Sequence, residues 1–293
     1  MTSEAKKIVK TKNSAPSHMQ PEERRQFLQV KVKALPTPIQ NKIVVLKNIQ
    51  LEKIKMEKNF CDEVYDLQYR YQQKYEELYN KRKAIIEGET EPDQQHSNVK
   101  DESSENDFGR VKEVPLSDAK GVPGFWLTVL RNTMITDMIK KHDEPALRRL
   151  IDVTVRYDVG HAFKLEFHFE ANQFFDNSVL SKKYFLRSSI DQYDPFAYEG
   201  HKVKSCQGCD IDWKDKMNLT VKTNNNTPVE SFFNFFNSPQ WSIDNEDDDE
   251  YKEAKALEAD YKIGNFLRVR IIPKAVLYFT GDIVDKYGDE DKD

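Results

Sequence analysis

No run of about 18 or more apolar residues occurs anywhere in the 293-residue chain, so no segment reads as a membrane-spanning helix. The N-terminus carries Lys6, Lys7, Lys10 and Lys12 with no apolar stretch behind them, which is not the pattern of a secretory signal. Cysteine is scarce, with three residues, and that argues against a disulfide framework. There is no glycine-rich phosphate loop, no nucleophile elbow and no helix with paired zinc-binding histidines. The most telling absence is local. Between Pro38 and Gly88 the chain contains neither proline nor glycine.

What fills that interval is Lys, Glu, Gln, Leu, Ile and Tyr, residues that form or tolerate helix. Ile39, Ile43, Leu46 and Ile49 share one face, and Phe60, Val64, Leu67, Tyr71, Tyr75 and Leu78 continue a stripe at helical spacing. A single helix here is about 75 Å long at 1.5 Å per residue, longer than a small domain is wide. One compact domain does not cover such a stripe, and a second copy of the helix is its natural cover. The expected dimer interface is therefore Ile43, Leu46, Phe60, Val64, Leu67, Tyr71, Tyr75 and Leu78. Lys53 and Arg82 fall where a regular zipper wants apolar residues, so the expectation is a self-associating helix with imperfect heptads. The alternative is two shorter helices with a kink near Lys53–Lys58.

Charge is segregated along the chain. Hydrophobic content is 38% against 32% charged, polar enough to imply extended parts beside the folded ones. Residues 1–34 carry 8 Lys/Arg and 3 Asp/Glu and read as a basic, mostly disordered head with a short helix opened by Pro21. Residues 35–88 are the long helix. Residues 89–120 form an acidic, low-complexity insert; Glu89–Gly121 holds 4 Lys/Arg and 9 Asp/Glu. Residues 121–285 read as the compact domain, and 286–293 as the start of an acidic tail. From Asp244 to the end there are 8 Lys/Arg and 15 Asp/Glu. Segments of one sign either solvate a face or attract a partner of opposite sign.

Within the compact domain the period changes to two. Ile151, Val153, Val155 and Tyr157 alternate with polar residues, as do Phe163, Leu165, Phe167 and Phe169, with Asp158–His161 as the connecting turn. Tyr184–Ile190, Val203–Cys206, Ile211–Trp213 and Leu219–Val221 are further strand candidates. Short helices are expected at Gly124–Leu130 and Asp143–Leu150, an aromatic knot at Ser231–Phe236, and closing helices at 249–272 and 273–279. The fold class is α+β: a long dimerisation helix plus an antiparallel sheet covered by helices.

The one enzyme-like signal is Cys206-Gln-Gly-Cys209, which suits a redox site or half a zinc site. No second pair exists. His161 and His168 stand seven apart on one expected strand, an odd separation that puts them on opposite faces. A structural pair is the simpler reading, and no metal or cofactor is expected. Tyr65, Tyr69, Tyr71, Tyr75 and Tyr79 beside Arg70, Lys74, Lys81 and Arg82 invite a nucleic-acid stacking reading. The i, i+4 spacing of Tyr71, Tyr75 and Tyr79 fits helix packing more simply. Asp244 to Glu250 puts six carboxylates in seven residues. That run is either a solvated loop whose last acids favour a helix start, or a site for a cationic partner.

Several motifs fall in one order: the long helix, the acidic insert, Gly121-Val-Pro-Gly-Phe-Trp126, Ala171-Asn-Gln-Phe-Phe175, Cys209-Asp-Ile-Asp-Trp-Lys214 and Thr227-Pro-Val-Glu-Ser-Phe-Phe-Asn-Phe-Phe236. Ile263-Gly-Asn-Phe-Leu267, Ile272-Pro-Lys-Ala-Val276 and Tyr278-Phe-Thr-Gly281 close the series. Together, from about Leu35 to Asp285, they resemble the nucleosome assembly protein family of histone chaperones, and the insert resembles the nucleosome assembly protein proper more than its SET-type branch. The resemblance implies an antiparallel homodimer through the long helices and an earmuff-like domain that takes up core histones on its concave underside. Linker histone is a further candidate cargo.

The implied function is binding and shielding of histones during nucleosome assembly and disassembly, with no catalysis, no membrane and no sequence-specific nucleic-acid binding. Shuttling between nucleus and cytoplasm is implied as well, an export signal falling near Ile43–Leu51. The acids expected to meet histones are Glu166, Glu170, Asp191, Asp194 and Asp212 of the sheet and its borders, with Asp244, Glu246, Asp247, Asp248, Asp249 and Glu250. Two departures stand out. Family chains usually continue into a long acidic tail, whereas this one stops at Asp293, which leaves a shortened form open. The basic hairpin of relatives has only Lys222 near the Asn224–Asn226 turn here. The rival readings are a coiled-coil dimeric scaffold for other basic proteins and an enzyme using the cysteine pair.

Overall fold

Thr37–Ile86 is one α-helix of 50 residues (α2), with no break at Lys53–Lys58. Lys53 pairs with Glu57 one turn on, which accommodates a charge where the stripe wants an apolar group. The structure, a computed structural model, describes residues 19–91, 120–222, 226–237 and 249–285. The basic head at 1–18, the insert at 92–119, the acids at 244–248 and the tail at 286–293 lie outside the described residues.

The chain divides into two compact units. Ile190–Tyr198 groups with the described part of Met1–Phe60, and Cys61–Ser189 groups with Glu199–Asp293. In the first unit, α1 (Pro21–Lys33) opens with proline in its first turn and Glu22 and Glu23 beside it, where the helix dipole favours acids. The corner into α2 is tied by the Gln40 amide, which donates to the carbonyls of Lys33 and Leu35 at 3.0 and 2.7 Å. The 190–198 segment turns through a 3₁₀ helix at Pro195–Ala197. Arg25 stands 3.7 Å from Asp194, and Lys47 lies over the Phe196 ring.

In the second unit, alternating residues build a four-stranded antiparallel meander: β1 (Leu150–Asp158), β2 (Ala162–Phe169), β3 (Val179–Arg187) and β4 (Lys202–Gln207), in that order. Val153 faces Phe167, Val155 faces Leu165 and Phe167 faces Leu180 across the ladder, giving one apolar face. Short helices α3 (Phe125–Arg131) and α4 (Glu144–Leu147) precede the sheet. Helix α5 (Asp249–Phe266), a π turn at Leu267–Ile271 and α6 (Ile272–Thr280) follow it. Strands expected at Ile211–Trp213 and Leu219–Val221 are single bridges, Trp213 to Phe175 and Val221 to Pro228. Here the backbone bonds locally: the Asp212 N–H goes to the Asn177 side chain and the Trp213 N–H to the Ile211 carbonyl. The helix expected to reach Leu150 ends at Leu147, and Leu150 opens β1.

The core is aromatic. Phe232, Phe233, Phe235 and Phe236, on a 3₁₀ turn, bury against the apolar sheet face, with Phe167 edge-on to Phe236 at 5.2 Å. Two buried polar residues fix that turn. Asp143 accepts from the Ser231 hydroxyl at 2.6 Å and from the amides of Phe232 and Lys140 at 2.8 and 2.9 Å. Lys182, its side chain wholly buried, donates to the carbonyls of Phe235 and Asn237 and to Asp260 of α5. Gly208 is obligatory because a Cβ there would stand 1.6 Å from the Phe236 carbonyl oxygen. At Gly264 the Tyr184 ring occupies the same space.

Candidate functional site

A helix in one compact unit normally hides its apolar face, and α2 does so on one side only. Tyr65 is buried, and its hydroxyl donates to the backbone carbonyls of Ala162 and Asp158 at 2.5 and 2.9 Å. Burial pushes that phenol up to about 12. Gln72 donates to the Val155 carbonyl at 3.1 Å, and Arg82 to the Ile272 carbonyl at 2.6 Å. The stripe faces elsewhere. Leu46 and Phe60 in the first unit are 63% and 65% exposed, and Leu67, Tyr71, Tyr75 and Leu78 in the second are all exposed. Ile43 and Val64 are half-buried. Tyr71 and Tyr79 each lie about 6 Å, centroid to centroid, from Tyr75, a continuous aromatic ridge. Val44, Val45, Ile49 and Met56 are exposed as well, although only Ile49 among them belongs to the expected stripe. So much uncovered apolar surface on one helix marks an interaction face.

The expected acids are not brought together into one cluster. Glu166, on β2, is almost fully buried and lies between Arg156 and Lys164 at 2.8 and 2.9 Å, so its charge is matched within the fold. The polar face of the sheet around it carries Arg156, Lys164 and Lys183 and has no acidic excess; Lys183 is itself paired with Asp158 at 2.5 Å. Glu170 is exposed and 3.3 Å from Arg149. In the first unit, Asp191 accepts from the backbone of Tyr193 and Asp194, shaping the turn that presents them. Asp212 is exposed and held by Asn177. Beside it the backbone of Asp176 bonds to the Asp212 carbonyl, and Asp210 is exposed nearby in sequence. Asp176 was not anticipated because nothing in the sequence pattern joins residue 176 to residue 212. Asp249 and Glu250 begin α5, and Asp244 and Glu246–Asp248 lie outside the described residues.

The cysteine pair sits at the end of β4. Burial pushes the Cys206 thiol up to about 11 and raises Cys209 as well, and the Cys209 sulfur accepts a hydrogen bond from the Ser181 amide at 3.1 Å. A raised thiol is the opposite of a reactive one. The two histidines do not share a strand: His161 stands just before β2 in the left-handed turn (φ 62°), and His168 bonds Thr154 at 3.2 Å. A cleft of about 430 Å³ opens between α2 and the polar face of β1 and β2, lined among others by Tyr69, Gln72, Glu76, Lys83, Asp152 and His168. Burial and nearby Lys83 hold His168 below its ordinary value, while burial raises Asp152 despite Arg82 at 3.9 Å.

A long helix with one uncovered stripe stands ahead of an antiparallel meander closed by an aromatic turn and helices. The family model for nucleosome assembly protein (NAP) matches residues 41–282, and the chain belongs to that family. Nucleosome assembly protein 1-like 1 of Xenopus tropicalis is 38% identical over 292 residues, spanning 89% of this chain and 73% of its own. Human nucleosome assembly protein 1-like 4 is 38% identical over 287 residues, with 87% and 76% covered. Among solved structures, nucleosome assembly protein 1 from Plasmodium knowlesi superimposes with a TM-score of 0.57 at 28% identity, over 85% of this chain and 99% of that one.

Proposed function

We propose that this chain is a histone chaperone that binds and shields core histones, assists nucleosome assembly and disassembly, and carries out no chemistry of its own. The observation that carries the reading is membership of the NAP family across residues 41–282. Two physical features support it. Leu46, Phe60, Leu67, Tyr71, Tyr75 and Leu78 of the α2 stripe are exposed in the single chain and Ile43 and Val64 are half-buried, which supports an antiparallel homodimer through these eight residues. Acidity is concentrated towards the end of the sequence, where Asp244 onward carries 8 Lys/Arg and 15 Asp/Glu. A dimer doubles each acidic segment, and histones are strongly basic, so long-range attraction speeds their capture and lets the chaperone compete with DNA.

The cargo contacts in this reading are Glu170, Asp191, Asp194 and Asp212 together with Asp244, Glu246, Asp247, Asp248, Asp249 and Glu250. Glu166 contributes least, because Arg156 and Lys164 already neutralise it. Linker histone is a secondary cargo, and the protein works in the nucleus and shuttles through the cytoplasm. The test is competition. The full chain should strip histones from non-specific DNA, and its affinity should fall with salt because exposed pairs are screened over about 8 Å at physiological ionic strength. Neutralising Asp244 and Glu246–Glu250 to Asn or Gln should weaken binding by a few kcal/mol at most, at about 0.2–1 kcal/mol per exposed pair. A chain that shows no salt-sensitive histone binding would sink the proposal and leave a coiled-coil scaffold in its place.

A further inference from the structure

We propose that Asp62, His161 and His201 form a binding site for one divalent transition-metal cation of the zinc type. The three side chains come from α2, the β1–β2 turn and the residue just before β4, all within the second compact unit. Asp62 Oδ1 lies 2.9 Å from His201 Nε2 and 3.1 Å from His161 Nε2. All three prospective ligand atoms fall within 4.8 Å of one another. Tetrahedral zinc, with bonds of about 2.0–2.1 Å, separates its ligands by about 3.3 Å, so modest adjustments admit the ion.

Hydrogen bonding alone leaves this cluster unresolved. Asp62 Oδ1 also accepts from the Ser188 hydroxyl, so Ser188 and His201 together use the two lone pairs of that oxygen. The buried His161 Nε2 is left without a hydrogen bond, although it lies 3.1 Å from the same oxygen. Buried nitrogens are rarely left so. A cation between the three would take a lone pair from each imidazole and one from the carboxylate, leaving no nitrogen orphaned. Two imidazoles and one carboxylate suit zinc, cobalt or nickel; calcium and magnesium prefer all-oxygen shells. Three protein ligands leave a fourth position open.

The surroundings are closely packed. The Tyr65 ring packs on His161 at 4.9 Å and on His201 at 6.1 Å, and its hydroxyl is pinned to the carbonyls of Asp158 and Ala162. The imidazoles lie 4.6 Å apart, and the His201 side chain is only 12% exposed. The bound ion would cross-tie α2 to the β1–β2 turn and to the start of β4, and stiffen the helix that carries the exposed stripe.

The experiment uses the full chain stripped of metal and titrated with Zn²⁺, followed by calorimetry and by thermal melting. Tight uptake of one ion per chain is expected, with Tm rising as Zn²⁺ is added. Asp62→Asn, His161→Gln and His201→Gln should each weaken that uptake at least about tenfold and abolish the Tm response, while His168→Gln should not. Co²⁺ loaded into the unmutated chain gives a second readout: a four- or five-coordinate visible spectrum without sulfur charge-transfer bands. Uptake no greater than that of a chain carrying Asp62→Asn, His161→Gln and His201→Gln together, an octahedral Co²⁺ spectrum, or a sulfur band assigning the ion to Cys206 and Cys209 would each overturn the proposal.

Discussion

Lys182→Met removes one ammonium and keeps the length of the stem, so the consequence is electrostatic and does not come from a cavity. Lys182 is buried with three oxygen partners: Phe235 O at 2.5 Å, Asn237 O at 3.3 Å and Asp260 Oδ1 at 2.6 Å. Without it, Asp260 holds a largely buried carboxylate with no other ion-pair partner among the described residues, and its Oδ2 already has no hydrogen bond. Breaking a buried pair on one side costs about 3–5 kcal/mol. At about 2–4 °C per kcal/mol for a domain of this size, Tm should fall by about 6–20 °C. Lys182→Met with Asp260→Leu should recover much of that loss, because the stranded charge goes too. Thermal melting followed by circular dichroism reads both variants. A Lys182→Met chain that melts within about 2 °C of the parent would show that the carboxylate is solvated when unpaired, and the burial argument would fail.

Three further outcomes are expected. Val64→Glu with Leu67→Glu should turn a dimer into a monomer or an aggregate, since charges would enter an apolar seam at a cost of several kcal/mol; light scattering that still finds a dimer moves the interface elsewhere. Cys206→Ser with Cys209→Ser should leave histone binding within about twofold, because both thiols are raised and structural; a larger change in a filter-binding titration would restore a chemical role. His168 is held below its ordinary value by burial and by Lys83, with Arg156 and Lys164 adding to that and Glu166 opposing it. A depressed histidine contributes stability above its unfolded value of 6.5, and that contribution is lost as pH falls through the folded value. Stability should therefore drop between about pH 7.5 and pH 5.5, and His168→Gln should flatten the drop in urea denaturation run at both; an unchanged slope would exonerate His168.

How much the sequence disclosed depended on whether a signal was periodic. The long helix was legible because an interval free of proline and glycine carries an apolar stripe, and Thr37–Ile86 falls inside the expected 35–88. The β1–β2 hairpin was legible because Val153, Val155, Phe163, Leu165 and Phe167 alternate. Polar residues buried against distant partners carry no period. Nothing adjacent to Asp143 announces Ser231, and nothing near Lys182 announces Asp260. Glu166 looked like any surface acid of a strand until its neighbours Arg156 and Lys164 closed over it. Asp62, His161 and His201 likewise sit on three separate elements, and the strand spacing that seemed to govern His161 does not apply, because that residue belongs to the turn.

The meander has a consequence for the order in which the chain assembles. Each strand of β1–β4 pairs only with its neighbour in sequence, so its contacts close short loops and cost little chain entropy. The bonds from Asp143 to Ser231 and from Lys182 to Asp260 instead join residues 88 and 78 apart, and they tie down the aromatic turn and α5. The sheet is thus expected to form early and the polar pins late. Removing a pin would then leave the folding rate nearly unchanged and show itself as faster unfolding. In a cell, the lifetime of the native chain would be set by two buried side chains whose partners are synthesised well after the sheet has begun to pair.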